Sequence, residues 1–109
     1  MSEITIEQFG QIDLKTAKVL EAERVPGTSR LIKLQVDLGN EHRQLVAGIA
    51  EAYEPEALVG KIIVVVANLK PASVRGVESQ GMLLAATPEG GKPILATFDV
   101  EISPGTKVR

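Results

Sequence analysis

The chain contains no cysteine and no tryptophan, and only one histidine, one tyrosine and two phenylalanines among its 109 residues. Without cysteine it can form neither a disulfide framework nor a thiolate metal site. The lone histidine, His42, stands between Glu41 and Arg43 in a turn-like stretch. A catalytic triad or metal cluster needs converging partners, and none are signalled, so His42 reads as a solvated loop residue. With aromatic residues at 3%, there is almost no platform on which single-stranded bases could stack. No apolar run approaches the roughly 20 residues that span a bilayer. The longest, Ile62 to Ala67, has strand length. The start, Met1-Ser2-Glu3-Ile4-Thr5, has neither the basic flank nor the apolar core of a signal peptide, so a cytoplasmic location is expected. Nor is there an excess of positive charge. Twelve Lys and Arg against 14 Asp and Glu leave a net charge of −2, so any binding to a polyanion must rest on a local basic patch.

What is present suits a single domain over residues 1–109. Apolar residues make up 44% of the chain, enough for one core and too many for general disorder. Ile32, Leu34, Val36 and Leu38 alternate with Lys33, Gln35 and Asp37, the period-two pattern of a half-buried strand. Gly39 to His42 form a short loop, and residues 43–49 return as the hairpin partner. Upstream, Leu14 to Val25 alternates imperfectly. Alone it fits a helix or a strand; the turn chemistry of Pro26-Gly27-Thr28-Ser29 and the hairpin that follows favour a strand. Thr5 to Gly10 reads as one helical turn, with Thr5 and Gln8 as a capping box and with Ile6 and Phe9 anchoring it to the body. Residues 50–58 suit one or two short helical turns closed at Gly60. Lys61 to Ala67 is β-branched and apolar enough to be a strand buried on both sides. Residues 68–80 read as a polar loop, Met82 to Thr87 and Pro93 to Phe98 as strands, and 107–109 as a tail after a final turn.

This order suggests an all-β fold, a five-stranded OB-fold barrel with a short helix between strands 3 and 4 and N- and C-terminal extensions, although other small β-barrels share the pattern. In an OB-fold, ligands lie on strands 2 and 3 and on the loops joining strands 1 to 2 and 4 to 5.

Catalytic chemistry is not indicated. Gly90-Gly91-Lys92 lacks the preceding glycine of a phosphate loop, where Ala86 stands, and the following Ser or Thr, where Pro93 stands. Glu54 and Glu56 flank Pro55 as solvated charges. No cofactor and no metal are expected.

The informative stretch is Val64 to Ala86. Two cations (Lys70, Arg75), an amide (Asn68) and two hydroxyls (Ser73, Ser79) lie between buried strands, with Pro71 for stiffness and Gly76 and Gly81 for tight turns. Backbone amides, hydroxyls and cations are the groups that contact phosphates and splayed bases, though an ordinary solvated connection has a similar composition. Met82 can fill the barrel mouth or offer an apolar face to a base.

Asn68-Leu-Lys-Pro followed by Arg75-Gly-Val-Glu-Ser-Gln-Gly-Met-Leu-Leu-Ala is very similar to the signature of the tRNA-binding domain family. That family includes stand-alone structure-specific tRNA-binding proteins and the C-terminal domain or β subunit of methionyl-tRNA synthetases. Asp13-Leu14, Lys18-Val19, Arg30-Leu31, Gly48-Ile49, Gly60-Lys61 and the ending Pro104 to Arg109 extend the resemblance over nearly the whole chain. The resemblance implies tRNA contacts at Arg30, Lys33, Arg43, Asn68, Lys70, Arg75, Ser79 and Met82, grouped on one face; the low aromatic content makes recognition of shape and backbone, rather than sequence, the expectation. It also implies a homodimer built from the apolar N-terminal turn and the C-terminal stretch around Phe98, Val100 and Ile102, a methionyl-tRNA synthetase catalytic subunit as a further partner, and no aminoacylation chemistry in this domain. Two departures stand out. Val25 to Arg30 replaces the family's usual His-Pro-Asn/Asp-Ala-Asp-Lys, and Thr16-Ala17 replaces a Val-Gly pair, a change expected to bear on strand curvature. Two other functions share the fold: an export-related, peptide-binding chaperone and a pure synthetase dimerisation module.

Overall fold

The computed structural model describes residues 2–109. The first element is α1 (Ile6–Phe9), capped as its sequence dictates: the Thr5 hydroxyl accepts from the Gln8 N–H, and the Gln8 side chain accepts from the Thr5 N–H. The expected anchoring through Ile6 does not occur, since Ile6 is 75% exposed and α1 buries no residue. The anchor lies downstream, at Asn68. Its Oδ1 accepts from the Asp13 N–H at 2.8 Å, and its Nδ2 donates to the Gln11 carbonyl at 2.6 Å.

The long strand β1 (Leu14–Arg24) organises the barrel. One edge pairs antiparallel with β4 (Ile62–Val66) over residues 14–18. The other pairs with β2 (Ile32–Asp37) over 18–24 and, at Leu14 and Lys15, with the C-terminal β10 (Lys107–Val108). A register shift between Val19 and Glu21 bends β1 between these partners. The sheet runs β3 (His42–Ala47), β2, β1, β4, β7 (Met82–Leu83). Alternation on β2 is as the sequence indicated, with Ile32, Leu34 and Val36 inside and Lys33, Gln35 and Asp37 outward. Ala17, Val19, Leu45, Ile63, Val65 and Leu83 complete the core rows. Leu58 of the single helical turn α2 (Pro55–Leu58) joins that core, fully buried, and burial of such a side chain contributes about 2–3 kcal/mol.

The barrel closes between β3 and the chain just before β7, and side chains supply most of that seam. Gln80 donates its N–H to the Gln44 carbonyl (2.8 Å), while its side-chain oxygen accepts from the Gln44 N–H (2.9 Å). Gln44 Nε2 donates to the Glu78 carbonyl (2.8 Å). Ser79 Oγ accepts from the Val46 N–H (3.0 Å) and donates to the Gly81 carbonyl (2.9 Å). The five barrel strands and the helix between the third and fourth agree with the OB-fold expectation.

Several segments differ from the sequence reading, among them the strand expected over 93–98, which shrinks to residues 94 and 95, and the tail over 107–109, which pairs with β1 as β10. Residues 68–80 are not simply a loop but contain a hairpin, β5 (Ala72–Val74) and β6 (Val77–Ser79). The strand expected over 82–87 is divided into β7 and β8 (Ala85–Ala86) because its partners change: β7 pairs with β4, and β8 with the short β9 (Ile94–Leu95). The helix expected over 50–58 shrinks to α2, with turns before it.

Candidate functional site

Arg75 and Gly76 form the two-residue turn of the β5–β6 hairpin, with φ of 53° and 82°. Positive φ at both central residues is the geometry that matches strand twist in a tight hairpin. Glycine adopts it without cost, but Arg75 is the one non-glycine residue with positive φ among the described residues. Holding a bulky side chain there costs of order 1 kcal/mol or more, and such strain concentrates at functional positions.

The turn leans over the connection between β1 and β2, where Arg75 donates to the Gly27 carbonyl at 3.4 Å. Between them lies an open cleft of about 390 Å³ lined by Gly27 to Leu31 together with Val74 and Arg75. Arg30 and Arg75 therefore face one cavity, at the site an OB-fold uses for ligands. Lys33 projects from the neighbouring outer face of β2, in a cross-strand row with Glu23 and Val46. Lys70 lies exposed at the entrance to the hairpin. Met82 is 48% exposed, so it presents an apolar surface and does not fill the core.

Arg43, Asn68 and Ser79 are engaged in holding the scaffold. The Arg43 side chain is only 23% exposed; its guanidinium donates to the carbonyls of Ala67 and Gln80 and to the Glu41 carboxylate. The hydrogen bond from Arg43 holds the Glu41 carboxyl below the usual carboxylate range. Asn68 ties the hairpin entrance to residues 11–13, and buried Ser79 closes the seam.

Charge at the site is more balanced than a count of cations suggests. Arg30 pairs with Glu51 (3.5 Å), Lys33 with Glu23 (2.8 Å) and Arg43 with Glu41 (2.8 Å). Lys70 and Arg75 pair with no carboxylate among the described residues. These acidic partners and the Gln44–Gln80 exchange escaped the sequence reading, since nothing local signals which side chains the barrel brings together.

Thr16 also has a role beyond the expected one in strand curvature. It is fully buried, donates its hydroxyl to the Ser103 carbonyl (2.7 Å) and accepts from the Thr106 N–H (2.9 Å), fastening the C-terminal segment to β1. Among the described residues no group of three or more His, Cys, Asp or Glu could hold a metal ion, and no helix is long and apolar enough to cross a membrane.

Residues 14–107 match the profile of the family described as putative tRNA binding domain. A methionine–tRNA ligase of Thermotoga maritima is 63% identical over 105 residues, covering 96% of this chain but only 16% of the ligase. Among solved structures, a MetRS-related protein from Pyrococcus horikoshii superposes with a TM-score of 0.94 at 43% identity, over the full length of both chains. The chaperone CsaA from Bacillus anthracis gives a TM-score of 0.90 at 34% identity, covering 99% of this chain and all of the other.

Proposed function

From the premise that the chain belongs to the putative tRNA-binding domain family, we propose that it binds tRNA through the cleft between the β1–β2 connection and the β5–β6 hairpin. The observation that carries this reading is the pair Lys70 and Arg75, cations with no carboxylate partner among the described residues, one at the entrance to the hairpin and one on its positive-φ turn over that cleft. Arg30 and Lys33 extend the contact, and Met82 offers it an apolar edge. Arg43, Asn68 and Ser79 act by positioning the hairpin. With so few aromatic side chains, contacts to phosphate and sugar and the match to a folded RNA shape carry the recognition.

The test is tRNA affinity across a salt series for the parent chain and for Lys70→Ala/Arg75→Ala. The double variant should bind about tenfold more weakly, with a salt slope shallower by about two. An unchanged slope would refute the placement. A linear RNA of equal length should bind more weakly than tRNA; equal affinity would refute shape recognition.

The domain supplies RNA affinity and no aminoacylation chemistry of its own, acting as a free dimer or alongside the catalytic part of a methionyl-tRNA synthetase. Exposed apolar side chains at Ile4, Ile6 and Val100 support a homodimer built from the terminal segments, in which Phe98 and Ile102 are half-buried. A second reading, peptide binding, is favoured by the close superposition on the CsaA chaperone. Suppressed aggregation of a denatured client without any tRNA binding would select it.

A further inference from the structure

We propose that Glu23 and Glu51 are built-in competitors of the bound polyanion, holding the affinity of this face below what its cations alone would give. The proposal rests on the RNA-binding reading above. Both carboxylates are set beside their cations by the backbone. Glu23 stands directly opposite Lys33 in the β1–β2 register. The Ala50 N–H donates to the Arg30 carbonyl (3.0 Å), which brings Glu51 alongside the Arg30 side chain. Exposed ion pairs of this kind contribute little to stability, so stability is a poor reason for two of them on one face.

Their effect on an approaching phosphate is larger. A phosphate that takes Arg30 or Lys33 must displace a carboxylate and then remain close to it, as a like charge. The parent face therefore behaves as though it had fewer cations than it carries, and its salt slope reflects mainly Lys70 and Arg75. Glu41 is a different case, because Arg43 is committed to the barrel seam and does not become available when its partner is removed.

The experiment compares Glu23→Gln, Glu51→Gln and the double variant with Glu56→Gln, which removes the same charge from α2, where Glu56 pairs with no cation among the described residues. Binding of unfractionated tRNA is measured across a salt series, with thermal unfolding alongside. Each of the two site variants should tighten binding at low salt by about two- to fivefold, and steepen the salt slope by up to about one, while unfolding midpoints stay unchanged. Glu56→Gln should show neither effect. If the parent binds tRNA and the double variant binds no more tightly than Glu56→Gln, the inference is overturned and the RNA-binding reading survives. If neither parent nor variants bind at low salt, both are overturned.

Discussion

Replacing Ser79 with alanine asks whether the barrel seam depends on side-chain chemistry. The hydroxyl serves two backbone groups at once, accepting from the Val46 N–H at 3.0 Å and donating to the Gly81 carbonyl at 2.9 Å. Alanine leaves both without partners next to a position that is nearly sealed, Ser79 being 6% exposed. Each buried group so orphaned costs about 1–2 kcal/mol, and some water reaches half-buried Val46, so the expected loss is about 2–3 kcal/mol. With an unfolding entropy of about 0.23 kcal/mol per kelvin for 109 residues, the unfolding midpoint should fall by roughly 9–13 °C. Urea denaturation followed by circular dichroism gives the free energy directly, with Ser73→Ala, an exposed serine on the same hairpin, as the control. That control should change stability by less than about 0.5 kcal/mol. A Ser79→Ala loss as small as the control's, together with a drop in tRNA affinity matching that of Lys70→Ala, would refute the reasoning. The hydroxyl would then serve at the RNA surface and not in the seam.

Gly105→Ala should detach the C-terminal segment. At φ of 83° its Cβ would collide with the Leu38 carbonyl oxygen, so a loss of about 2–4 kcal/mol is expected, with faster amide exchange at Thr16 and Thr106; a change within about 0.5 kcal/mol would refute the close approach. Glu41 has a lowered pKa, so the stability it contributes is present above the ordinary value of 4.5 and disappears as pH falls through its lower folded value. Glu41→Gln should therefore reduce stability at neutral pH and flatten the acid side of the pH profile; an unaltered profile would refute the pairing with Arg43. Val100→Asp should convert a dimer into a monomer in sedimentation at micromolar concentration, and a parent chain that is already monomeric would refute the assembly.

How legible the chain was depended on whether a signal was local. Ile32 to Leu38 alternates over enough residues to declare both its strand and its inward face, and the β-branched run at 62–66 is unmistakable. The β5–β6 hairpin was missed because its strands have three residues each, with Val74 and Val77 as the only large apolar side chains, and Arg75-Gly76 reads as loop. The division of 82–87 was invisible for a different reason. Leu84 donates its N–H to the Val64 carbonyl and accepts from the Ala96 N–H, a change of partner that no pattern within the segment encodes. At the site, the sequence showed which residue types carry chemistry but not their assignments. Asn68 and Ser79 look like ligand contacts in a polar stretch, and only the fold reveals the backbone groups they serve. The neutralising carboxylates at Glu23 and Glu51 come from other segments, so a count of cations overstated the free positive charge.

The side chain of Asn68 reinforces a junction that the backbone also makes, where the Ala67 N–H donates to the Asp13 carbonyl and β1 pairs with β4. Through it, residues 11–13, which follow the exposed apolar turn α1, are fixed to the chain two positions before Lys70. Across this junction, a second copy that ordered the N-terminal segment would also restrict the hairpin entrance, and an RNA that ordered the hairpin would restrict the segment in return. If the chain assembles through that segment, thermodynamic linkage makes the two factors equal, so assembly would change ligand affinity as much as ligand changes assembly.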